Sequence, residues 1–414
     1  MATSESSSSL RSLGRTVVLA LYVASLIPFI HSTTGSHFTS IFSFGDSLAD
    51  TGNLYFNSQP PWSHYCFFPP FGQSYFGHPT GRCSDGRLII DFIAESLGME
   101  LLKPYLAIKK GEMKNWKGEG GVNFAVAGAT ALDADFFEEK GIPSFLTSNS
   151  LSIQLRWLKE LLRILCNSSS SCNKVLEKSL FVVGEIGGND FNKPLVARRS
   201  LEEITSFVSH VINAISSAIS LIDVGAKTLI VPGNFPIGCI PSYLTMYASK
   251  DKNEYDEAGC LKWLNNFAEY YNERLQAKLN QLQLLHPHAK ISYADYYSSA
   301  LPLYHFPTNF GFSGLKACCG SEGPYNFNAS LGKYGEEGVK ACDDPSKYIS
   351  WDGIHMTEAA HRWIIKGLLS NNGHCHNVAD DELDTLLDPM NNVKSECNFN
   401  SQLESVSNDL ACLA

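Results

Sequence analysis

The chain has 414 residues, 44% of them hydrophobic and 18% charged, with a formal net charge of −10. That length allows one large core or two modest ones, and the composition is that of a folded chain. With no basic patch and no nucleic-acid motif, a nucleic-acid partner is excluded, and the acidic balance points mainly to solubility.

Arg11 and Arg15 precede an apolar run over residues 17–30, and a small, polar stretch follows at 31–36. The run is short for a bilayer span, and its flanks suit a cleaved export signal over residues 1–35. An uncleaved anchor is the rival reading. No second long apolar run follows, so no stable membrane span is expected. Residues 39–44 are apolar and β-favouring, and a Pro-, Gly- and aromatic-rich stretch covers 52–86. Leu88, Ile89, Phe92, Ile93 and Leu97 repeat at helical spacing, and Gly98 stands where that helix stops. Residues 122–126 read as a second strand, and Ile153, Leu158, Leu161, Leu162 and Leu165 as a helix. The continuous apolar run 180–183 is expected of a strand covered on both faces. Ile204, Phe207, Val208, Val211, Ile215, Ile219 and Ile222 form one apolar helical stripe that Gly225 ends. Residues 228–231 and 291–294 complete five strands, with a helix over 261–285 between them and a last helix over 357–369.

Strands alternating with amphipathic helices imply parallel pairing and right-handed crossovers. The expected fold is therefore α/β: a three-layer α/β/α sandwich around a central parallel sheet of about five strands. It should occupy residues 36–371. Residues 372–414 are polar and acidic, with Asp380, Asp381, Glu382 and Asp384 clustered, and read as a peripheral extension. The twelve cysteines fit an oxidising compartment. Cys166 with Cys172 and Cys239 with Cys260 are plausible local bridges, while adjacent Cys318 and Cys319 are expected to bond different partners. Cys375, Cys397 and Cys412 can pin the extension.

Three short blocks, Gly45-Asp46-Ser47-Leu48, Asn123 to Gly128, and Gly187-Gly188-Asn189-Asp190, place Ser47, Gly128 and Asn189 just after predicted strands. In such sheets ligands bind beyond the carboxyl ends of the strands, so Ser47, Gly128 and Asn189 should share one edge. A fourth block, Trp351-Asp352-Gly353-Ile354-His355, enters the last helix. A serine hydroxyl is a poor nucleophile near neutral pH unless a base lies within hydrogen-bond reach and a third group orients that base. His355 has the residue type for the base, and Asp352 for the orienting carboxylate. The backbone N–H groups of Ser47 and Gly128 and the side-chain amide of Asn189 are candidate oxyanion donors. Each such donor is typically worth ~2.7–4 kcal/mol of barrier.

Together these blocks resemble the plant branch of the GDSL (SGNH) esterase/lipase family over residues 40–369. Pro79 to Arg87, Val231-Pro232-Gly233 and Cys318-Cys319-Gly320 carry the same likeness. Acetylajmaline and sinapine esterase-like members are nearest in look. The resemblance implies an SGNH-hydrolase (flavodoxin-like) sandwich with Ser47 as nucleophile, Asp352 and His355 completing the triad, and Ser47, Gly128 and Asn189 as the oxyanion hole. It implies an esterase that uses no cofactor and no metal and cleaves a small acetyl or phenolic ester through an acyl-enzyme. It further implies a glycoprotein secreted to the apoplast or vacuole. Acyl transfer with the same triad, lipase action and cell-wall acetyl ester hydrolysis are the alternatives within the resemblance, and a binding protein that has lost activity is the alternative outside it. Asn167 and Asn328 head glycosylation sequons. One departure concerns cysteines: relatives usually carry one more between the Cys-Cys-Gly block and Cys342, and residues 328–339 contain none.

Each reading has a plainer rival. Ser47 and Asn189 suit turns, Asp352 suits a helix N-cap, and Gly128 suits tight packing, with Ala127 leaving that block's register open by one. Asp46 reads as structural, and Asp190 as orienting Asn189 or capping the next segment. His361 is expected to face solvent. Gly118 to Gly121 precedes a strand rather than following one, which rejects a dinucleotide site. No G-x-S-x-G elbow surrounds Ser47, which speaks against the α/β-hydrolase class. His374-Cys375-His376 reads as a disulfide beside two solvated histidines rather than a metal site. The aromatic run Trp62, His64, Tyr65, Phe67, Phe68 and Phe71 either lines a cleft or packs its own loop.

Overall fold

Among the described residues, six parallel strands and one antiparallel edge strand form the sheet; the parallel ones are β1 (Ser40–Phe44), β2 (Lys103–Pro104), β3 (Gly120–Asn123), β4 (Ser179–Val183), β5 (Thr228–Pro232) and β6 (Lys290–Ala294), in the order β2-β3-β1-β4-β5-β6. The computed structural model describes residues 38–58, 64–112, 120–143, 146–166, 168–320, 322–328, 340–369 and 375–377. The export-signal reading over 1–35, Trp62, Asn167, His374 and the acidic cluster of the extension lie outside the described residues.

Alternate residues of the central strands enter different cores, as the pleat requires. Phe42 and Phe44 of β1, Phe181 and Val183 of β4, and Leu229 and Val231 of β5 pack on one face. Ile41, Leu180 and Val182 pack on the other. The first face is covered by the helices Leu151–Leu165, Val208–Ile219 and Lys262–Leu285, through Leu158, Val211, Leu275 and their neighbours. The second is covered by Ile89–Ser96, Tyr296–His305 and Glu358–Leu369, through Ile90, Ala300 and Ile364. This is the three-layer α/β/α sandwich. A run of rings stiffens its middle: Phe44 stacks on Phe124 at 5.3 Å between centroids, and Phe42 meets Phe181 at 5.4 Å. Each fully buried ring contributes about 1.5–3 kcal/mol relative to exposure.

The sheet carries two strands beyond the five expected. Lys103-Pro104 pairs with Val122 and Asn123, and a two-residue strand has no readable periodicity. Cys375–Asn377 pairs antiparallel with β6, so part of the extension belongs to the sheet edge. The apolar stripe after residue 200 is broken into Leu201–Ser206 and Val208–Ile219 and ends as a 3₁₀ turn, with Gly225 beyond it at φ +116°. This stretch, Leu201–Val224, is apolar enough to cross a membrane, yet half of it is buried within the protein.

Disulfides join Cys166 to Cys172 and Cys239 to Cys260, as the spacing suggests, and also Cys66 to Cys83 and Cys318 to Cys342. The expectation that Cys318 and Cys319 both bond is corrected: among the described residues Cys319 is a buried free thiol. Burial, and then the nearby Asp352, push it up to about 12.

Candidate active site

The backbone ladders outlast the strands and deliver three loops to one place. Beyond β1, Asp46 N–H donates to the Glu185 carbonyl at 2.7 Å, and Val126 N–H donates to the Gly45 carbonyl at 3.0 Å. Gly45 is clamped from both sides by Gln154, which accepts its N–H at 2.9 Å and donates to its carbonyl at 2.8 Å. Asp50 then ties two loops together. Its carboxylate takes the N–H groups of Gly52, Asn53 and Leu54 and, at 2.8 Å, that of Ala127. Asn53 and Asn123 add crossing amide bonds to the carbonyls of Ala125 and Ala49. Every one of these polar groups is buried and satisfied, so the loops are held as one rigid piece.

Gly128 sits at the end of that piece with φ +82°, a backbone conformation that costs an L side chain roughly 1–2 kcal/mol. A Cβ added there would lie 2.8 Å from the Leu146 Cβ. The structure thereby separates the two residues whose register the sequence left open: the Ala127 N–H is spent on Asp50. Those of Gly128 and Ser47 donate to nothing among the described residues.

Asn189 opens the helix Gly188–Val196. Its Nδ2 donates to Asp46 Oδ2 and to the Ala129 carbonyl, both at 3.0 Å, while its Oδ1 accepts from Asn192 Nδ2 at 3.3 Å. Asn192 Oδ1 in turn accepts the hydroxyl of Tyr243. Asp46 holds its own turn by accepting the Leu48 N–H at 3.0 Å and also orients Asn189. One sequence expectation is corrected here: Asp190 neither orients Asn189 nor caps the following segment. Asp190 reaches back to accept the N–H groups of Ala131 and Leu132 at 2.8 and 3.0 Å, fixing the loop after Gly128. Burial pushes both acids up to about 7; for Asp46 the Leu48 N–H and the His355 charge offset part of that rise.

Ser47, His355 and Asp352 come together in line. His355 Nε2 lies 2.9 Å from Ser47 Oγ, and Nδ1 lies 2.6 Å from Asp352 Oδ2. The other carboxylate oxygen accepts the N–H groups of His355 and Ile354 at 2.7 and 3.0 Å, so Asp352 is held at both ends. It therefore serves this loop and does not cap the helix Glu358–Leu369. Burial acts to raise the Asp352 carboxyl, but His355 and these N–H groups outweigh it and hold it below the usual carboxylate range. Asp352 and His355 are buried, whereas Ser47, Gly128 and Asn189 are part-exposed.

The segment Pro79 to Arg87 docks the helix behind His355. Asp85 accepts the Glu358 N–H at 2.8 Å, and Arg87 pairs with Glu358 and Glu95, each at 2.7 Å. This layer also covers His361, which is 1% exposed, with Nδ1 3.0 Å from the Arg87 carbonyl. The expectation that His361 faces solvent is corrected for that reason.

Ser47, Gly128, Asn189 and His355 all line one cavity of ≈ 430 Å³, a size usual for small-molecule sites. Its walls are mostly apolar and include Leu146, Phe235, Ile240 and Met246. The aromatic run divides: His64 and Tyr65 line the cavity, whereas Phe71 is in the core. Asn328 stands on the wall as well. His64, Cys66 and Cys83 form the one metal-like grouping among the described residues, but the two sulfurs are bonded to each other and cannot act as thiolate ligands.

A sequence model described as GDSL-like Lipase/Acylhydrolase matches residues 41–368. The chain belongs to that family. It is 53% identical over 349 residues to a GDSL esterase/lipase of Arabidopsis thaliana, covering 83% of this chain and 85% of that one. It is 50% identical over 361 residues to a second from the same plant, covering 86% and 90%. It is 49% identical over 338 residues to a sinapine esterase of Brassica napus, covering 80% and 85%. This GDSL protein is accordingly a carboxylic ester hydrolase, and its four sequence blocks are the ones that meet at the cavity. Sequence reasoning missed Asp50, Asn192 and the orienting role of Asp46. Only Asp46 and Asp50, inside the Ser47 block, offered a signal.

Proposed function

We propose that Ser47 is the nucleophile of a covalent, two-step ester hydrolysis, with His355 as base and Asp352 as its orienting carboxylate. The observation that carries this reading is the continuous line Ser47 Oγ, His355 Nε2, His355 Nδ1, Asp352 Oδ2, with 2.9 and 2.6 Å at its two hydrogen bonds. Asp352 keeps the proton of the neutral imidazole on Nδ1, leaving Nε2 to accept the serine proton. As that proton moves, Oγ bonds the ester carbon and the carbonyl oxygen becomes an oxyanion. The N–H groups of Ser47 and Gly128 face it, and Asn189 turns to it the hydrogen now given to Ala129. A charged oxygen is the stronger acceptor. Collapse breaks the ester C–O bond, and the leaving alcohol takes the proton from Nε2. Water then repeats the sequence on the acyl-enzyme, releasing the acid and restoring Ser47.

The biological setting we infer is that of a secreted glycoprotein, with residues 1–35 removed, 36–371 forming the hydrolase and 372–414 an extension. Asn167 and Asn328 are its glycan sites. Substrate is a small acetyl or phenolic ester; the mostly apolar cavity and the relative named sinapine esterase support the phenolic choice.

A fluorophosphonate probe tests the assignment. It should label Ser47 in the purified protein, and Ser47→Ala should abolish turnover of p-nitrophenyl acetate. Full turnover in that variant ends the proposal. Product analysis with an added alcohol separates hydrolysis from acyl transfer.

A further inference from the structure

One side chain in the cavity has no part in the triad or the donor set. Glu185 follows β4 by two residues and lines the cavity together with Ser47, Asn189 and Asn234. Its place is fixed from the backbone, because its carbonyl accepts the Asp46 N–H at 2.7 Å, one strand over from the nucleophile turn. Glu185 is 7% exposed, and its Oε1 is buried with no hydrogen-bond partner among the described residues. A buried carboxyl left unmet is costly, and such groups usually mark something the fold keeps for another purpose.

The neighbours restrict what that purpose is. Burial, and next the Asp46 carboxyl, hold Glu185 well above the usual carboxylate range. A charge on Glu185 would raise the hydroxyls of Tyr271 and Tyr293, and Lys193, which lines the same cavity, is not among the chief influences on it. Burial therefore favours its neutral acid form, which offers one O–H donor and one C=O acceptor. The cavity as a whole is mostly apolar, with Leu48, Phe235, Ile237 and Met356 on its walls beside polar Asn192 and Asn234.

We propose that Glu185 is the polar anchor of the cavity, selecting esters that carry a hydroxyl, ether or carbonyl oxygen on the part lodged against it. This deepens, and rests on, the reading of the Ser47 cavity as the active site. An all-hydrocarbon group pressed into the site leaves the carboxyl desolvated and unmet. An oxygenated one gives it a partner. Sites built around a hydrogen bond reject analogues that lack it more strongly than apolar pockets reject a missing methylene.

Two matched ester pairs test this: methyl cinnamate with methyl 4-hydroxycinnamate, and 2-phenylethyl acetate with 2-(4-hydroxyphenyl)ethyl acetate. They place the oxygen on the acid and alcohol sides in turn. The wild type should prefer the oxygenated member of at least one pair by about tenfold in kcat/KM. Glu185→Gln, which still donates and accepts, should keep the preference, and Glu185→Met should bring the ratio near one. Equal rates for both pairs in the wild type overturn the proposal whatever the variants do, as does a preference that survives Glu185→Met. So does a preference for acetylcholine over neutral 3,3-dimethylbutyl acetate that Glu185→Gln abolishes, because that assigns the carboxylate to a cation. Fluorophosphonate labelling of Ser47 in each protein reports folding and nucleophile. Failure to label the wild type sinks the active-site reading, which the ratio test does not.

Discussion

Asp46 Oδ2 accepts the Asn189 carboxamide at 3.0 Å, so the residue before the nucleophile aims the side chain that we assign to the oxyanion. Asp46→Ala removes that acceptor and lets the amide swing. Losing one well-placed oxyanion donor typically costs on the order of 10²–10³ in kcat. A fall of about 10² in kcat for p-nitrophenyl acetate, with KM nearly unchanged, is expected. A rise in KM at constant kcat would instead place Asp46 in substrate binding.

Asp352→Asn should leave the fold intact, because the amide oxygen still accepts the His355 and Ile354 N–H groups now held by Oδ1. It should still remove most turnover. The amide N–H facing His355 Nδ1 favours the wrong tautomer, and the loss in such a change is on the order of 10⁴ in kcat. Steady-state kinetics beside a thermal melt separates the two effects. Comparable activity with an unchanged melt contradicts the role given to Asp352.

Asn192 fixes which end of the Asn189 amide faces the reaction, since its Nδ2 donates to Asn189 Oδ1 at 3.3 Å and its own oxygen is held by Tyr243. Asn192→Asp puts an acceptor against Asn189 Oδ1 and should lower kcat by roughly tenfold, the scale of one net hydrogen bond. Asn192→Ser, which can still donate, should lose less. Equal losses in both variants would reduce the contact to packing.

Stability should rise on mild acidification. Burial raises Asp46 and Asp190 to about 7 and Asp50 to about 6, from 3.8. The folded chain holds these protons where the unfolded chain has released them. Their stabilisation is full below the unfolded value and lost as pH rises through the folded ones. His64 and His361 oppose this below 6.5, since burial lowers both to about 4. Glu185 and Asp85 are raised as well, and together the acids outweigh the two histidines and the lowered Lys193, so Tm should climb as pH drops from about 8 to about 5. Calorimetry across that range checks the sign, and Asp190→Asn should flatten part of the slope. A Tm that falls steadily over the same interval contradicts the assignment.

The layers were legible because each long strand is a short apolar run and each covering helix a clean stripe, and because the reacting residues sit in compact blocks at strand ends. What escaped depends on contacts between distant segments. Asp46 meets Asn189 across 143 residues, and Asp50 meets Ala127 across 77. No local periodicity encodes those meetings. His361 looked exposed because its burial comes from a segment 274 residues earlier. Lys103-Pro104 joined the sheet through partner pairing alone, with only two residues to declare itself. The free state of Cys319 matches the missing cysteine in residues 328–339, a departure visible in the sequence although its outcome was not.

Ser47 and His355 are 308 residues apart in the chain yet share a hydrogen bond. On the roles proposed for them, a ribosome finishes the nucleophile long before it supplies the base. On the same proposal, the growing polypeptide would be chemically silent during synthesis, and so would any fragment cut between the two blocks. With those roles, activity requires the segment that carries His355, so its appearance would mark completion of the whole domain.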